Sequence, residues 1–406
     1  MLGDGMRLLA TALVLTATGA WAATVPPREG PAENGSPAWF LQPSSTDPAG
    51  HTAVDDQGRI TVHPHVDGDE TFNGFRCTKS TVCQNRYGPG RLTLDRVQWK
   101  QTMGYTFEYP IRLPPGDGGP PAVGIDSRGN VWVYQRKAPG HPQLFKYDSN
   151  HRLILTVGEE VIGHQDKPHG MAVDADDNVW LCDINGATVM KVSPDGKLLQ
   201  TFGQRHHRGD WVEAKGQRLL WQPIAIAFAP NGDIYIGQGH GNESPNDVES
   251  DDPTNIMGAA RVLHLDRHGK FIRQWFGHEA GQGKFDQIHG LAVDPKTGDV
   301  WIGDREQYRI QVYSGDGKIL KTIPTRNLSS TLRFDRDGFP WMATGQDGQV
   351  LKLDRSGKVI GAIGNGMGIG HGQFIESAYF DFDKDGNIYV GDTSVGRVTK
   401  LVKPAR

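Results

Sequence analysis

Two histidines open two near-identical phrases. His169-Gly170-Met171-Ala172-Val173-Asp174 and His289-Gly290-Leu291-Ala292-Val293-Asp294 differ at one apolar position. Each runs on into an aromatic strand, Val179-Trp180-Leu181 and Val300-Trp301-Ile302. Imidazole at such matched places is a good ligand for zinc, copper or iron. Two ligands do not complete a protein metal site. Arg136, in Tyr134-Gln135-Arg136, and Arg305, in Gly303-Asp304-Arg305-Glu306, end short apolar runs. A forked guanidinium there could clamp a carboxylate.

The elements that must position these side chains repeat along the chain. The unit is an apolar triplet, an Asp, a turn of Gly, Asn or Asp, and a strand with an aromatic. It recurs at Asp126 with Trp132, Asp174 with Trp180, and Ala229 with Tyr235. The later copies are Asp294 with Trp301, Asp335 with Trp341, and Asp383 with Tyr389. A third strand follows each, as in Val189-Met190-Lys191-Val192, then a turn and a fourth strand, as in Leu198-Leu199-Gln200-Thr201-Phe202. Four antiparallel strands make a propeller blade. The sequence therefore predicts an all-β fold, a six-bladed beta-propeller of four-stranded antiparallel blades, because one repeat cannot bury its faces alone. The residue five before the turn position is radially equivalent in every blade: Pro121, His169, Ile224, His289, Ser330 and Ala378. Both histidines then converge on one channel mouth.

The last repeat stops after its third strand, near Val402. Its outer strand is expected from Gly104-Tyr105-Thr106-Phe107-Glu108-Tyr109, which would close the ring and remove an exposed edge. The propeller is placed at residues 97–406. Residues 23–96 read as a linker and elaboration with a hairpin near Thr52–Val62 and a loop holding Cys77 and Cys83; a seventh blade is the alternative. Residues 1–22 read as a signal peptide: Arg7, an apolar run from Leu8 to Thr18, and small Ala20 and Ala22 before a cleavage point. The run is too short to span a bilayer. The expected location is secreted or periplasmic, where Cys77 and Cys83 would pair. Cys182, inside an apolar strand, is expected as a buried thiol.

The chain holds 43 basic and 47 acidic side chains, a net charge of −4, with no sustained basic stripe. Nucleic-acid binding has little electrostatic support. The partner expected is a small-molecule substrate, with no membrane span; the sequence leaves the oligomeric state open. The longest insertion runs from Gln238-Gly239-His240 to Gly258-Ala259-Ala260 and carries Asp247, Glu249, Asp251 and Asp252. It lacks the spacing of a calcium loop and reads as solvated, with a lid as the alternative.

Pro168-His169-Gly170-Met171-Ala172-Val173-Asp174 and Asp304-Arg305-Glu306-Gln307-Tyr308-Arg309-Ile310-Gln311-Val312 resemble NHL-repeat propellers. Within them they resemble the peptidyl-alpha-hydroxyglycine alpha-amidating lyase family, over residues 120–402. That family cleaves a carbinolamide to glyoxylate and an amide, with zinc held by three histidines that open inner strands. The resemblance implies His169 and His289 as metal ligands and Arg136 and Arg305 as substrate-binding residues. The third ligand position falls on Ala378, so Glu376, two residues earlier, or His240 would complete the set. His240 stands at the family's catalytic tyrosine and is expected to transfer protons. The family's calcium site needs an Asp where Tyr379 stands, so calcium is not carried over.

Together these residues imply an exported metal-dependent lyase-like enzyme, zinc being the favoured divalent ion. The substrate would be a small anionic carbinolamide-, hemiacetal- or ester-like molecule. A non-catalytic NHL propeller binding a protein or cell-surface ligand is one alternative, since fold does not fix function. A lactonase-type hydrolase is the other, disfavoured by histidines where such enzymes use channel carboxylates around calcium.

Overall fold

The turn after each inner strand shows why the repeat folds as it does. Asp174 accepts the backbone N–H groups of Asp176 (3.0 Å) and Asn178 (2.9 Å) and the indole Nε1–H of Trp180 (2.9 Å). Lys191 from the third strand pairs with the same carboxylate at 3.0 Å and sits 5.2 Å from the Trp180 ring centre. Asp335 does the same with Phe339, Trp341 and Lys352. Asp126 holds Asn130 and Lys146, whose ammonium lies 4.8 Å from the Trp132 ring. One carboxylate thus fixes the turn, the aromatic strand and the third strand. The lysine stem covers the indole while its charge is neutralised.

The structure is a computed structural model. It describes residues 99–405 apart from 115–118, 241–259, 278–284, 286, 306, 308, 326, 346, 367–369 and 394–395, with the backbone of short strands between residues 53 and 85. Six four-stranded antiparallel sheets form the blades of a propeller. The inner strands are Ala122–Ile125, Pro168–Val173, Pro223–Phe228, Ile288–Val293, Thr331–Phe334 and Ser377–Phe382. Each packs against the next round the ring, the sixth against the first. Outer strands such as Leu198–Gly203 are mostly exposed, as position dictates.

Closure follows the expected route. Thr106–Glu108 pairs antiparallel with Arg397–Val402, setting Lys400 opposite Glu108, Leu401 opposite Phe107 and Val402 opposite Thr106. The first and last strands of the propeller thus share one blade, and its edge is covered. Blade faces meet through large side chains; Trp132, Tyr134 and Trp341 are at most 2% exposed. Each such burial is worth roughly 1.5–3 kcal/mol.

Among residues 53–85 the backbone forms the expected hairpin, Ala53–Val54 with Ile60–Thr61, and a three-stranded sheet of Glu70–Phe72, Phe75–Cys77 and Cys83–Asn85. Neither is a four-stranded blade. Cys77 stands opposite Cys83 in the ladder. The side chains of that pair, and with them the expected disulfide, lie outside the described residues. So do the signal segment 1–22 and the acidic loop 241–259. Cys182 is a free, fully buried thiol whose pKa burial pushes well up. No described helix is long and apolar enough to cross a membrane.

Below the mouth, side chains fill the channel. The Tyr379 hydroxyl, on the sixth blade, lies 3.0 Å and 2.9 Å from the carbonyls of Ile224 and His289 on the third and fourth. Arg333 of the fifth blade donates from Nη2 to the Met171 carbonyl of the second at 3.0 Å. These side chains bridge the channel from blade to blade.

Candidate metal centre

In the second, fourth and sixth blades the entry to the inner strand is fixed by the aspartate that ends the second strand beside it. Asp183 accepts the backbone N–H groups of Asp166 (2.9 Å) and Lys167 (2.8 Å), just before His169. Asp304 accepts that of Gln287 (3.0 Å), just before His289. Asp392 accepts those of Ile375 (2.9 Å) and Glu376 (3.1 Å). These buried carboxylates replace ladder partners that the incoming loops lack. The strands then bulge. Pairing register shifts between Pro168 and Met171, between Ile288 and Gly290, and between Ser377 and Phe380. Bulges re-aim side chains, and here they stand at His169, His289 and Ala378-Tyr379. Gly170 is required at its bulge: a Cβ there would lie 2.0 Å from the Ile224 carbonyl oxygen of the next blade.

The third blade departs from this scheme and supplies a third imidazole. Gln238 replaces the strand-end aspartate and accepts the Trp221 N–H at 2.7 Å. Gly239 then turns the chain at φ +97°. His240 follows, and two glutamine side chains clamp its backbone. Its N–H donates to Gln222 Oε1 at 3.1 Å, and its carbonyl accepts from Gln287 Nε2 at 2.7 Å. Gln287 lies two residues before His289, so one short segment positions two of the three histidines.

His169, His240 and His289 are all buried, and a ring nitrogen from each lies within 4.8 Å of the others. Ring centres are 4.6 Å apart for His169 and His289, 4.8 Å for His169 and His240, and 5.7 Å for His240 and His289. Burial holds all three pKa values well below the ordinary histidine range, helped for His169 by His289, for His240 by Lys167 and for His289 by Arg305. The rings are therefore neutral and carry lone pairs. His289 Nδ1–H donates to the Ser330 carbonyl at 2.6 Å, which leaves its Nε2 as the acceptor. Nδ1 of His169 is buried with no hydrogen-bond partner. Three neutral imidazoles with an orphaned nitrogen suit a divalent ion that takes nitrogen donors. Three buried histidines could thus form a metal site; which metal it would prefer is a matter of donor chemistry.

The sequence left Tyr379 out of the site, yet its ring stacks on His289 at 5.7 Å and 25° and meets His169 edge-on at 5.4 Å. Burial raises its pKa well above the tyrosine range, so it stays a donor. Its only sequence signal is its place beside Ala378 at a bulge. Glu376 is not among the clustered histidines; Oε1 of its carboxylate lies 3.8 Å from Arg305 Nη1. Arg136 donates from Nε to the Pro168 carbonyl at 3.1 Å. Burial lowers its pKa and the Glu376 charge raises it again. Ala378, at the position where the resemblance implies a histidine, is buried beside Tyr379.

A profile for the NHL repeat matches residues 285–313, the segment that carries His289 and Arg305. The peptidyl-glycine alpha-amidating monooxygenase of Mus musculus is 26% identical over 337 residues, 73% of this chain and 31% of its own length. The peptidyl-alpha-hydroxyglycine alpha-amidating lyase 1 of Drosophila melanogaster is 29% identical over 162 residues, 36% of this chain and 25% of its own length. The chain is homologous to the amidating-lyase family of NHL-repeat propellers. It spans about a third or less of the length of these two relatives. A gluconolactonase of Xanthomonas campestris shares the fold with a TM-score of 0.52 at 16% identity, over 74% of this chain and 91% of that one. Against the family pattern, the third buried imidazole here comes from the third blade and not from the sixth.

Proposed function

We propose that the chain is an exported, metal-dependent lyase-like enzyme. Its substrate would be a small carbinolamide-, hemiacetal- or ester-like molecule bound at the channel mouth. One observation carries this reading: three neutral, buried imidazoles lie within 4.8 Å of one another and feel the charges of two arginines. His169, His240 and His289 would hold the ion. Zinc fits best, since three nitrogen donors leave a fourth tetrahedral position open. A bound ion would supply Lewis acidity toward a substrate oxygen. Arg136 and Arg305, with Glu376 beside Arg305, would set the charge that a developing oxyanion meets at the mouth. Tyr379 packs beneath two of the histidines and limits their ring motion. The proton-transfer role expected of His240 conflicts with ligation, because a lone pair committed to an ion cannot also take a proton. Export rests on the apolar run and small residues of the first 22 positions.

Metal analysis of the purified chain and of His169→Ala, His240→Ala and His289→Ala tests the site. A near-stoichiometric divalent ion is expected in the parent and strong depletion in each variant. Equal, sub-stoichiometric metal in all four would end the reading. Release of an aldehyde and an amide from an α-hydroxyglycine derivative, lost on chelation and restored by zinc, would test the chemistry.

A further inference from the structure

The charges at the channel mouth are arranged in an unexpected order. Arg305 leaves the second strand of the fourth blade, its own N–H donating to the Gln287 carbonyl at 2.9 Å. Glu376 enters the inner strand of the sixth blade, its backbone held by Asp392. The two side chains meet over the mouth at 3.8 Å, each 7% exposed. Arg136 comes from the first blade and is anchored to the second through the Pro168 carbonyl. It too feels the Glu376 charge, which offsets part of the penalty that burial places on its guanidinium. Glu376 therefore pairs with Arg305 and acts on Arg136 through its charge.

We infer that Glu376 is a built-in occupant of the anion seat, so that the channel mouth selects uncharged substrates over carboxylates. Two guanidiniums without a counter-ion would form a receptor for a small carboxylate. Here that place is already taken by a side chain. Among buried charges that are little screened, the like charge of Glu376 would cancel much of the attraction that the two guanidiniums offer an incoming carboxylate. Glu376 cannot withdraw by moving its strand, because Asp392 fixes the backbone N–H groups of both Ile375 and Glu376. An amide of the same shape carries no charge to repel and can donate an N–H to the carboxylate. The anionic substrate expected from the arginines alone is thereby replaced by a neutral one. This inference rests on the proposed reading only in taking the channel mouth as the place where substrate binds.

Glycolate and glycolamide, nearly identical in shape, make the test. Their binding to the full chain is measured by calorimetry, both as purified and after chelator dialysis. The parent should bind glycolamide at least as tightly as glycolate. Glu376→Gln, which keeps shape and removes charge, should move the glycolate-to-glycolamide preference by about tenfold or more toward glycolate. Glu376→Met is the second variant, should the first fold poorly. A parent that prefers glycolate tenfold, or binds neither molecule, overturns the proposal. So does an unmoved ratio in the folded variants. The ratio in chelated protein needs no ion, so a failure of the metal reading would show in metal content and leave this result intact.

Discussion

The two rims of the propeller obey different rules. At the turn rim Asp174 and Asp335 make the same bonds to turn, indole and lysine, and Asp126 makes those to turn and lysine. At the mouth the six equivalent positions hold Pro121, His169, Ile224, His289, Ser330 and Ala378. The turn rim repeats because the same turn, aromatic strand and third strand recur from blade to blade, with Ala229 as the exception in the third. The mouth diverges because its residues answer to one another across the channel. Ser330 turns its carbonyl toward His289, and Tyr379 reaches from the sixth blade to the third and fourth. Self-similarity thus locates structural work, and its interruption locates a site.

The contrast can be broken most sharply at His240. His240→Ala should lower divalent-metal affinity by at least about a hundredfold, more than loss of an outer-shell partner costs. Its melting temperature without metal should stay close to the parent's, because the change removes a buried neutral ring and no blade contact of the turn kind. Metal titration beside calorimetry reads both. Unchanged affinity would remove His240 from the ligand set.

The next effect is on pH. The three histidines have folded-state pKa values well below the ordinary value. Below about pH 6.5 the unfolded chain therefore binds protons that the fold refuses. Metal-free protein should hold its full stability above that pH. It should lose roughly 1.4 kcal/mol per pH unit per histidine as the pH falls toward the folded values. A saturating divalent ion should flatten the profile, since ion and proton compete for the same lone pairs. Denaturant melts between pH 7.5 and 5, with and without zinc, check this. A profile that the His169→Ala, His240→Ala and His289→Ala variants share with the parent would place its origin elsewhere.

Much of this architecture is legible from residues alone. The six Asp-or-Ala turn phrases define blades, and the truncated last repeat calls for the strand at Thr106–Glu108. His169 and His289 follow from register. The third imidazole does not, because its position depends on Gly239 at φ +97° and on glutamines from two neighbouring loops. Sequence favoured Glu376 as the third ligand and His240 as the proton-transfer residue; the path of the chain instead puts His240 with the histidines and Glu376 against Arg305. Tyr379 was illegible for a related reason: a bulge decides which of two adjacent residues faces the channel.

At the turn rim the expected signature is reversed. Asp335→Ala removes an acceptor shared by the Phe339 backbone, Trp341 and Lys352. It should cost about 1–3 kcal/mol, since it leaves part-buried donors unpaired. Metal affinity should be unchanged. A variant that lost metal in proportion to stability would mean that the two rims are coupled through the blade.

The smallest effect should come from Lys352→Met, which keeps most of the stem over Trp341 and removes only the charge. The ammonium lies 3.0 Å from Asp335 and 5.2 Å from the Trp341 ring centre, with its side chain 18% exposed. Water still reaches that pair, so the ion-pair contribution is discounted toward the exposed range of about 0.2–1 kcal/mol. Methionine recovers part of the packing on the indole. Asp335 keeps its bonds to Phe339 and Trp341, so the turn survives. The net loss should be about 0.5 kcal/mol, falling further at high salt. Chemical denaturation at low and high ionic strength resolves it. A salt-independent loss as large as that of Asp335→Ala would mean that the lysine, and not the carboxylate, organises the repeat.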